Sequence, residues 1–331
     1  MPDFTLNTFH KLLVTLKDQQ YTFQTFAGFL KEPAKRAIIL RHDVDARKMN
    51  SLQTARMEED LGISGTYYFR MVPGSYDEEV IKQISYLGHE IGYHYEELSR
   101  SGVRGPGYEE ELQLKTQNQL IKRLQDRKTA RPQDKVLPEK ELADLAIVSF
   151  RENLAKLRRV VPVETICMHG SPLSKYDNRM LWEKYDYRDY GIIGEPYFDI
   201  NFDEVLYLTD TGRRWDGDSV SIRDKAQGTG LSVQGKKERY EVRGMRYEEN
   251  YALEKKLPTP RTPDPAPIIR FHSTFDIINA AKENKLPDKI MLTIHPQRWD
   301  NRPLPWIREL VWQNFKNIGK RLITRSMHNS A

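Results

Sequence analysis

The sequence predicts an α/β fold curled into a distorted (β/α) barrel. Three observations predict it. Short apolar runs recur along most of the chain, helical patterns separate several of them, and imidazole or charged residues stand directly after the runs. Strand–helix alternation of this kind means parallel strands, because a parallel pair needs a crossover long enough to hold a helix. The runs are AIIL (37–40), GTYYF (65–69), HEIGY (89–93), ETICM (164–168), YGII (190–193), EVLYL (204–208), PIIRF (267–271) and KIMLTI (289–294). Eight candidate strands in 331 residues point to barrel-like closure.

The chain opens on a helix, with Phe9, Leu12, Leu13 and Leu16 at helical spacing. SLQTARMEEDLG, between the first two runs, reads as a helix closed by Gly62. YDEEVIKQISYLG, before the third run, sets Val80, Ile81, Ile84 and Leu87 on one face and ends on Gly88. Residues 101–160 read as polar helices joined by a loop around 132–138. Residues 222–266 are poor in hydrophobics and rich in Gly, Lys, Arg and Pro. Both are expected to be insertions on a single domain spanning 1–331, with its core at about 36–300. The second is either a lid or a solvated connection.

Composition narrows the class. With 38% hydrophobic and 30% charged residues, the chain is expected to fold rather than stay disordered. The lone Cys167 excludes an intramolecular disulfide and any CxxC site. No run of 18 apolar residues is present, so no membrane span is expected. The first residues, MPDFTLNTFHKLLVTLKDQQ, lack the pattern of a signal peptide, so the expected compartment is the cytoplasm. Of 52 basic and 47 acidic side chains, six basic and one acidic lie in 302–331, leaving 46 of each in the body. The net charge of +5 therefore sits in the tail, and the neutral body argues against a nucleic-acid groove.

Chemistry-bearing residues gather after the runs. Asp43 and Asp45 are two apart, so in extended backbone they face the same side. Converging carboxylates repel unless a cation or shared proton relieves them. His94, His169 and His295 each follow a run, at the strand ends where barrel enzymes place their working groups. His89 falls at the start of its strand and reads as structural. Carboxylate oxygens with imidazole nitrogens suit a divalent first-row ion, Zn²⁺ foremost.

At these residues the sequence resembles a known family. Asp-x-Asp after the first run, GHEIGYH at the third run and LTIHP at the last run resemble the polysaccharide deacetylases. These form the NodB-homology group, carbohydrate esterase family 4. The series RHDVD, GHEIGYHYE, HGSP, TDTGRRW and HPQRW resembles the family's polysaccharide-biosynthesis branch, over roughly residues 36–300. The resemblance implies a NodB-type distorted barrel. It also implies metal-dependent removal of an N- or O-acetyl group from a sugar, sugar nucleotide or lipid-linked glycan. By the same resemblance Asp43 is the base, Asp45 and His94 bind the metal, and His295 is the general acid.

One position departs from the family. Its second histidine stands four residues after the first, where this chain has Leu98, which cannot bind a metal. Glu96 ranks first as third ligand, with His169 and Glu97 behind it. Glu96 points with His94 if the backbone stays extended, and Glu97 is favoured if it turns helical. Arg41 or Arg70 is expected to orient Asp43. Asp210 is expected either to position His295, to bind substrate, or only to shape a turn. Trp215, Trp299 and the tyrosines of 185–190 either stack on sugar rings or pack in the core. Leu98 keeps a second class open, a non-catalytic glycan-binding component of polysaccharide assembly. A third is hydrolysis of a non-sugar amide on the same fold.

Residues 304–325 set Ile307, Leu310, Val311, Ile318 and Leu322 at helical spacing, with Trp312 and Phe315 nearby. They read as a last helix packed on the barrel, or as a basic amphipathic helix touching an anionic membrane surface.

Overall fold

Strand β2 (Ala37–Val44) lies at the centre of the fold, and all eight of its residues are buried. The computed structural model describes residues 2–101, 139–170, 174, 176–215 and 271–328. Before β2 come α1 (Leu6–Asp18), β1 (Thr22–Gln24) and α2 (Phe26–Lys31). After it come α3 (Lys48–Asp60), β3 (Thr66–Phe69), α4 (Glu78–Tyr86), β4 (Glu90–Tyr95) and α5 (Glu97–Ser101). The chain continues through α6 (Glu139–Arg158), β5 (Ile166–Met168), α7 (Pro196–Asp199) and β6 (Leu206–Thr209). It closes with α8 (Thr274–Lys282), β7 (Lys289–Ile294) and α9 (Pro303–His328).

The strands form one curled, all-parallel sheet, a half-barrel, in the order β5-β4-β3-β2-β7-β6. β1 pairs with the first residues of β2. Among the described residues no pairing joins the edges β5 and β6, so the closure expected from the sequence is only partial. One reason is local. YGII was expected to be a strand, but Tyr187–Tyr190 is a 3₁₀ turn and Gly191 takes a left-handed conformation (φ 67°). Only an isolated bridge, Thr165 to Gly194, links this stretch to the sheet. Of the run 267–271 all but Phe271 lies outside the described residues, as does the expected insertion 222–266.

Side-chain alternation divides the sheet into two faces. Inside the curl, Ile39, Tyr68, Cys167, Tyr207 and Met291 pack with Phe26, Ile200 and Val205. Outside, β3, β4 and β5 pack on α4 and α6, and β2, β6 and β7 pack on α1 and α8. Helix α6 belongs to this outer layer, although the sequence reads it as the end of a polar insertion. Its Leu142, Ala146, Phe150, Leu154 and Leu157 are buried along one face, while charged neighbours dilute the apolar pattern. Helix α2 plugs the N-terminal end of the curl: Phe26 N–H donates to Thr66 and Ala27 N–H to Glu90. At the opposite, C-terminal end the strands lead into Asp45, His169 and His295. No helix among the described residues is long and apolar enough to cross a membrane.

Candidate metal and catalytic site

β2 runs three residues beyond Arg41, and the alternation carries Arg41 and Asp43 inward with Ile39. Arg41 Nε and Nη2 donate to the two oxygens of Asp43 at 2.8 and 2.7 Å, a bidentate pair buried at both ends. Burial alone would raise the Asp43 carboxyl. Arg41, with His94 beside it, reverses this and holds it well below the usual carboxylate range. Asp43 is therefore ionised at any working pH.

His94 projects inward from β4, one alternation step beyond Gly92. A Cβ on Gly92 would stand 2.3 Å from the Tyr68 ring, so glycine is what lets this ring lie across the strand. His94 Nδ1 lies 2.9 Å from the Cys167 carbonyl, which can only accept. Nδ1 thus carries the proton, and the Nε2 lone pair faces Asp45 Oδ1 at 3.7 Å and Asp43 Oδ2 at 3.8 Å. Burial lowers the His94 pKa to about 4, so the ring is neutral near pH 7. His169 arrives from the end of β5. Its Nδ1 faces Glu96 Oε2 at 3.2 Å, and its Nε2 lies 3.4 Å from Asp45 Oδ1. Glu96 in turn accepts from Arg70 Nη2 at 2.6 Å.

Asp45, His94 and His169 can each offer a ligand atom within 4.8 Å of the others. Their fit to a metal rests on one atom. Asp45 Oδ1 is buried and accepts no hydrogen bond. An unmet buried carboxylate oxygen is costly, and a cation between it and two imidazole lone pairs would satisfy all three. Tetrahedral Zn²⁺ with bonds of about 2.1 Å sets its ligand atoms about 3.4 Å apart. The separations of 3.4 and 3.7 Å from Asp45 Oδ1 suit it. Cys167 Sγ joins Asp43 and His94 in a second such grouping, beneath the first and fully buried. Burial raises the Cys167 thiol well above its ordinary pKa, which keeps it protonated.

His295 follows β7, with its Nε2 3.9 Å from Asp45 Oδ2. Its Nδ1 donates to Asp210 Oδ1 at 2.6 Å and its backbone N–H to Oδ2 at 3.0 Å. Arg298 Nη1 and Trp299 Nε1 donate to the same carboxylate at 2.7 and 2.6 Å. Burial would raise the fully enclosed Asp210, but Arg298 and His295 lower it. Asp210 fixes the tautomer and direction of His295, the positioning role among those the sequence left open.

The structure thus brings together Arg41, Asp43, Asp45, His94, Glu96, Arg70, His169, Asp210 and His295. Of the residues weighed as third ligand, His169 faces Asp45, while Glu96 pairs with Arg70 and His169 from behind. Glu97 turns to the outer face, where Tyr93 and Asn153 donate to it and burial raises its pKa. Leu98 packs in the outer core at 3% exposure, so its position is not part of the cluster. Arg41, not Arg70, orients Asp43. Trp215 is 2% exposed, packed against Phe4 and Trp299 and donating to Thr274, which leaves no ring face for a sugar. Trp299 is equally buried and serves Asp210. His89 is structural as expected, accepting from Gly65 N–H and contacting the Ala55 carbonyl. The sequence reading passed over Gln297, which donates to Asp45 Oδ2 at 3.2 Å, and Arg298. Both lie in the 3₁₀ turn directly after His295, and that adjacency was the available signal.

The fold and site define a parallel α/β half-barrel with a carboxylate–histidine cluster at the C-terminal ends of its strands. Comparison of the chain with family models, with curated proteins and with solved structures gives no match.

Proposed function

We propose that this protein is a metal-dependent deacetylase that hydrolyses an N- or O-acetyl group on a sugar, sugar nucleotide or lipid-linked glycan. The observation that carries the metal-dependent part is the unmet, buried Asp45 Oδ1 facing His94 and His169, with Asp43 and His295 flanking it. The acetyl-sugar substrate is supported by the sequence resemblance at these same residues. Asp45, His94 and His169 would hold the ion, with Glu96 orienting His169 as a carboxylate partner behind the ligand. A divalent ion there, Zn²⁺ foremost, supplies Lewis acidity to water and to the acyl oxygen.

The chain's own groups divide the proton traffic. Asp43, kept ionised and aimed by Arg41, takes a proton from the water that attacks the acetyl carbon. His295 Nε2, aimed by Asp210 through Nδ1, gives a proton to the departing sugar nitrogen or oxygen as the acyl bond breaks. Acetate and the free amine or hydroxyl result. Acetate release from acetylated sugar nucleotides and glycolipids, with and without chelator, tests this. Chelator-sensitive release supports it. Sugar binding without release in the metal-replete protein would favour the glycan-binding alternative. Release from non-sugar amides alone would move the substrate class.

A further inference from the structure

Helix α9 lies on the body by its polar side. Glu309 and Gln313 are buried; Glu309 pairs with Arg47 at 3.1 Å and accepts from Gln313 Nε2 at 2.6 Å. The large apolar residues face outward instead. Leu304 is 81% exposed, Ile307 50%, Val311 63%, Trp312 54% and Phe315 69%. Their spacing lines them along one side of the helix. Other large exposed apolar residues, such as Met49, Tyr86 and Phe198, lie on separate elements, so this stripe is the concentrated one among the described residues. A contiguous apolar patch rimmed by charge marks an interaction surface.

The charge around the stripe selects its occupant. Arg47, Arg302 and Arg308 line an open cleft of about 310 Å³ at the start of the helix, with Leu304 and Pro305 between them. Asp300 pairs with Arg302 and Glu309 with Arg47, while Arg308 has no ion pair among the described residues. Further along the helix the sequence adds Lys316, Lys320, Arg321 and Arg325, and residues 302–331 carry the whole net charge of +5. A second copy would bring a segment of the same charge, +5 over 302–331, against this one. An anionic surface with an apolar interior answers both features together.

We propose that α9 docks on an anionic lipid bilayer, with its apolar stripe at the headgroup–acyl boundary and the arginine cleft on lipid phosphates. This rests on α9 alone and not on the chemistry proposed above. The docked end also adjoins the carboxylate–histidine cluster: Arg47 Nη1 donates to the Gln297 carbonyl, and Gln297 Nε2 donates to Asp45, each at 3.2 Å. Docking would therefore hold the cluster close to the membrane surface.

The test is co-sedimentation of the full chain with phosphatidylglycerol-rich vesicles and with pure phosphatidylcholine vesicles. Binding to the first, weakened by salt, is expected. The double variant Val311→Asp/Phe315→Asp should lose it, and Arg308→Ala should weaken it about fivefold. These positions are exposed, so the variants should melt like wild type. Binding that the variants leave unchanged, or no binding to either vesicle, overturns the proposal. So does a concentration-dependent dimer that the double variant breaks, without vesicle binding, because a second copy would then be the occupant.

Discussion

On the outer face of β2, His42 Nε2 lies 2.7 Å from Glu58 and the ring stacks on Tyr67; on the inner face, one residue further, Asp43 meets Arg41 and His94. Both groups combine imidazoles with carboxylates, and β2 supplies neighbouring positions, His42 and Asp43, to each. The outer group is sealed under α3. Its Glu58 also accepts from Tyr67 at 2.8 Å and lies 3.7 Å from His89, and both histidines and the glutamate have no side-chain exposure. The inner group opens to solvent through Asp45, His169 and His295, whose side chains are 22, 19 and 12% exposed. Residue type does not separate the two. What separates them is solvent access, together with two imidazole nitrogens aimed at the same oxygen, Asp45 Oδ1, where those of the outer group face different oxygens of Glu58. The outer group should behave as structure and the inner group as chemistry.

The largest effects belong to the inner group. Asp43→Asn and His295→Ala should each lower acetate release about a hundred- to ten-thousand-fold, measured as steady-state rates on folded protein. Full rates in both variants would remove their assigned roles. In the outer group, Glu58→Ala leaves a buried histidine and tyrosine without their carboxylate. It should cost about 3–5 kcal/mol in urea denaturation and leave zinc affinity unchanged. Loss of zinc binding with little loss of stability would erase the contrast.

His94 gives the inner group a pH signature. Its pKa is about 4 in the fold against about 6.5 for a free histidine. Between those values the unfolded chain takes up a proton that the folded chain does not. Stability of the metal-free protein should therefore rise, by up to about 3 kcal/mol, as pH climbs from about 4 to about 6.5, and level off above. His94→Gln should flatten that slope in urea midpoints. The same slope in the variant would contradict the assignment.

Smaller effects refine the boundary between the groups. Glu96→Gln removes the carboxylate behind His169 and should weaken zinc binding about 10- to 100-fold by competition titration, with the fold intact. An unchanged affinity would leave Glu96 without its orienting part. Leu98→His puts a polar ring into the outer core. It should cost about 1–3 kcal/mol and add nothing to zinc affinity. A gain in affinity would mean that the chain after β4 can turn that position inward.

Much of this was legible in the sequence because strand ends announce themselves. Apolar runs that stop at Arg41, His94, His169 and His295 located β2, β4, β5 and β7 closely enough to nominate Asp43, Asp45 and three histidines. β1 was not legible: three residues, Thr22–Gln24, carry too little pattern to stand out. YGII failed because an apolar run containing glycine fits a turn as well as a strand. The placing of Glu96, Glu97 and Leu98 turned on the backbone path after Tyr95. There α5 begins at Glu97, sending Glu97 and Leu98 to the outer face and leaving Glu96 behind His169. The fate of Trp215 depended on Phe4 and Trp299, distant in sequence and adjacent only in the fold.

Metal content of the purified protein tests the central claim most directly. After dialysis against zinc and removal of loosely held ions, wild type should retain a single Zn²⁺ per chain. Asp45→Asn and His169→Ala should retain none, while Glu58→Gln keeps it. A wild-type protein that holds no ion, or an Asp45→Asn variant that holds it as tightly as wild type, would contradict the account.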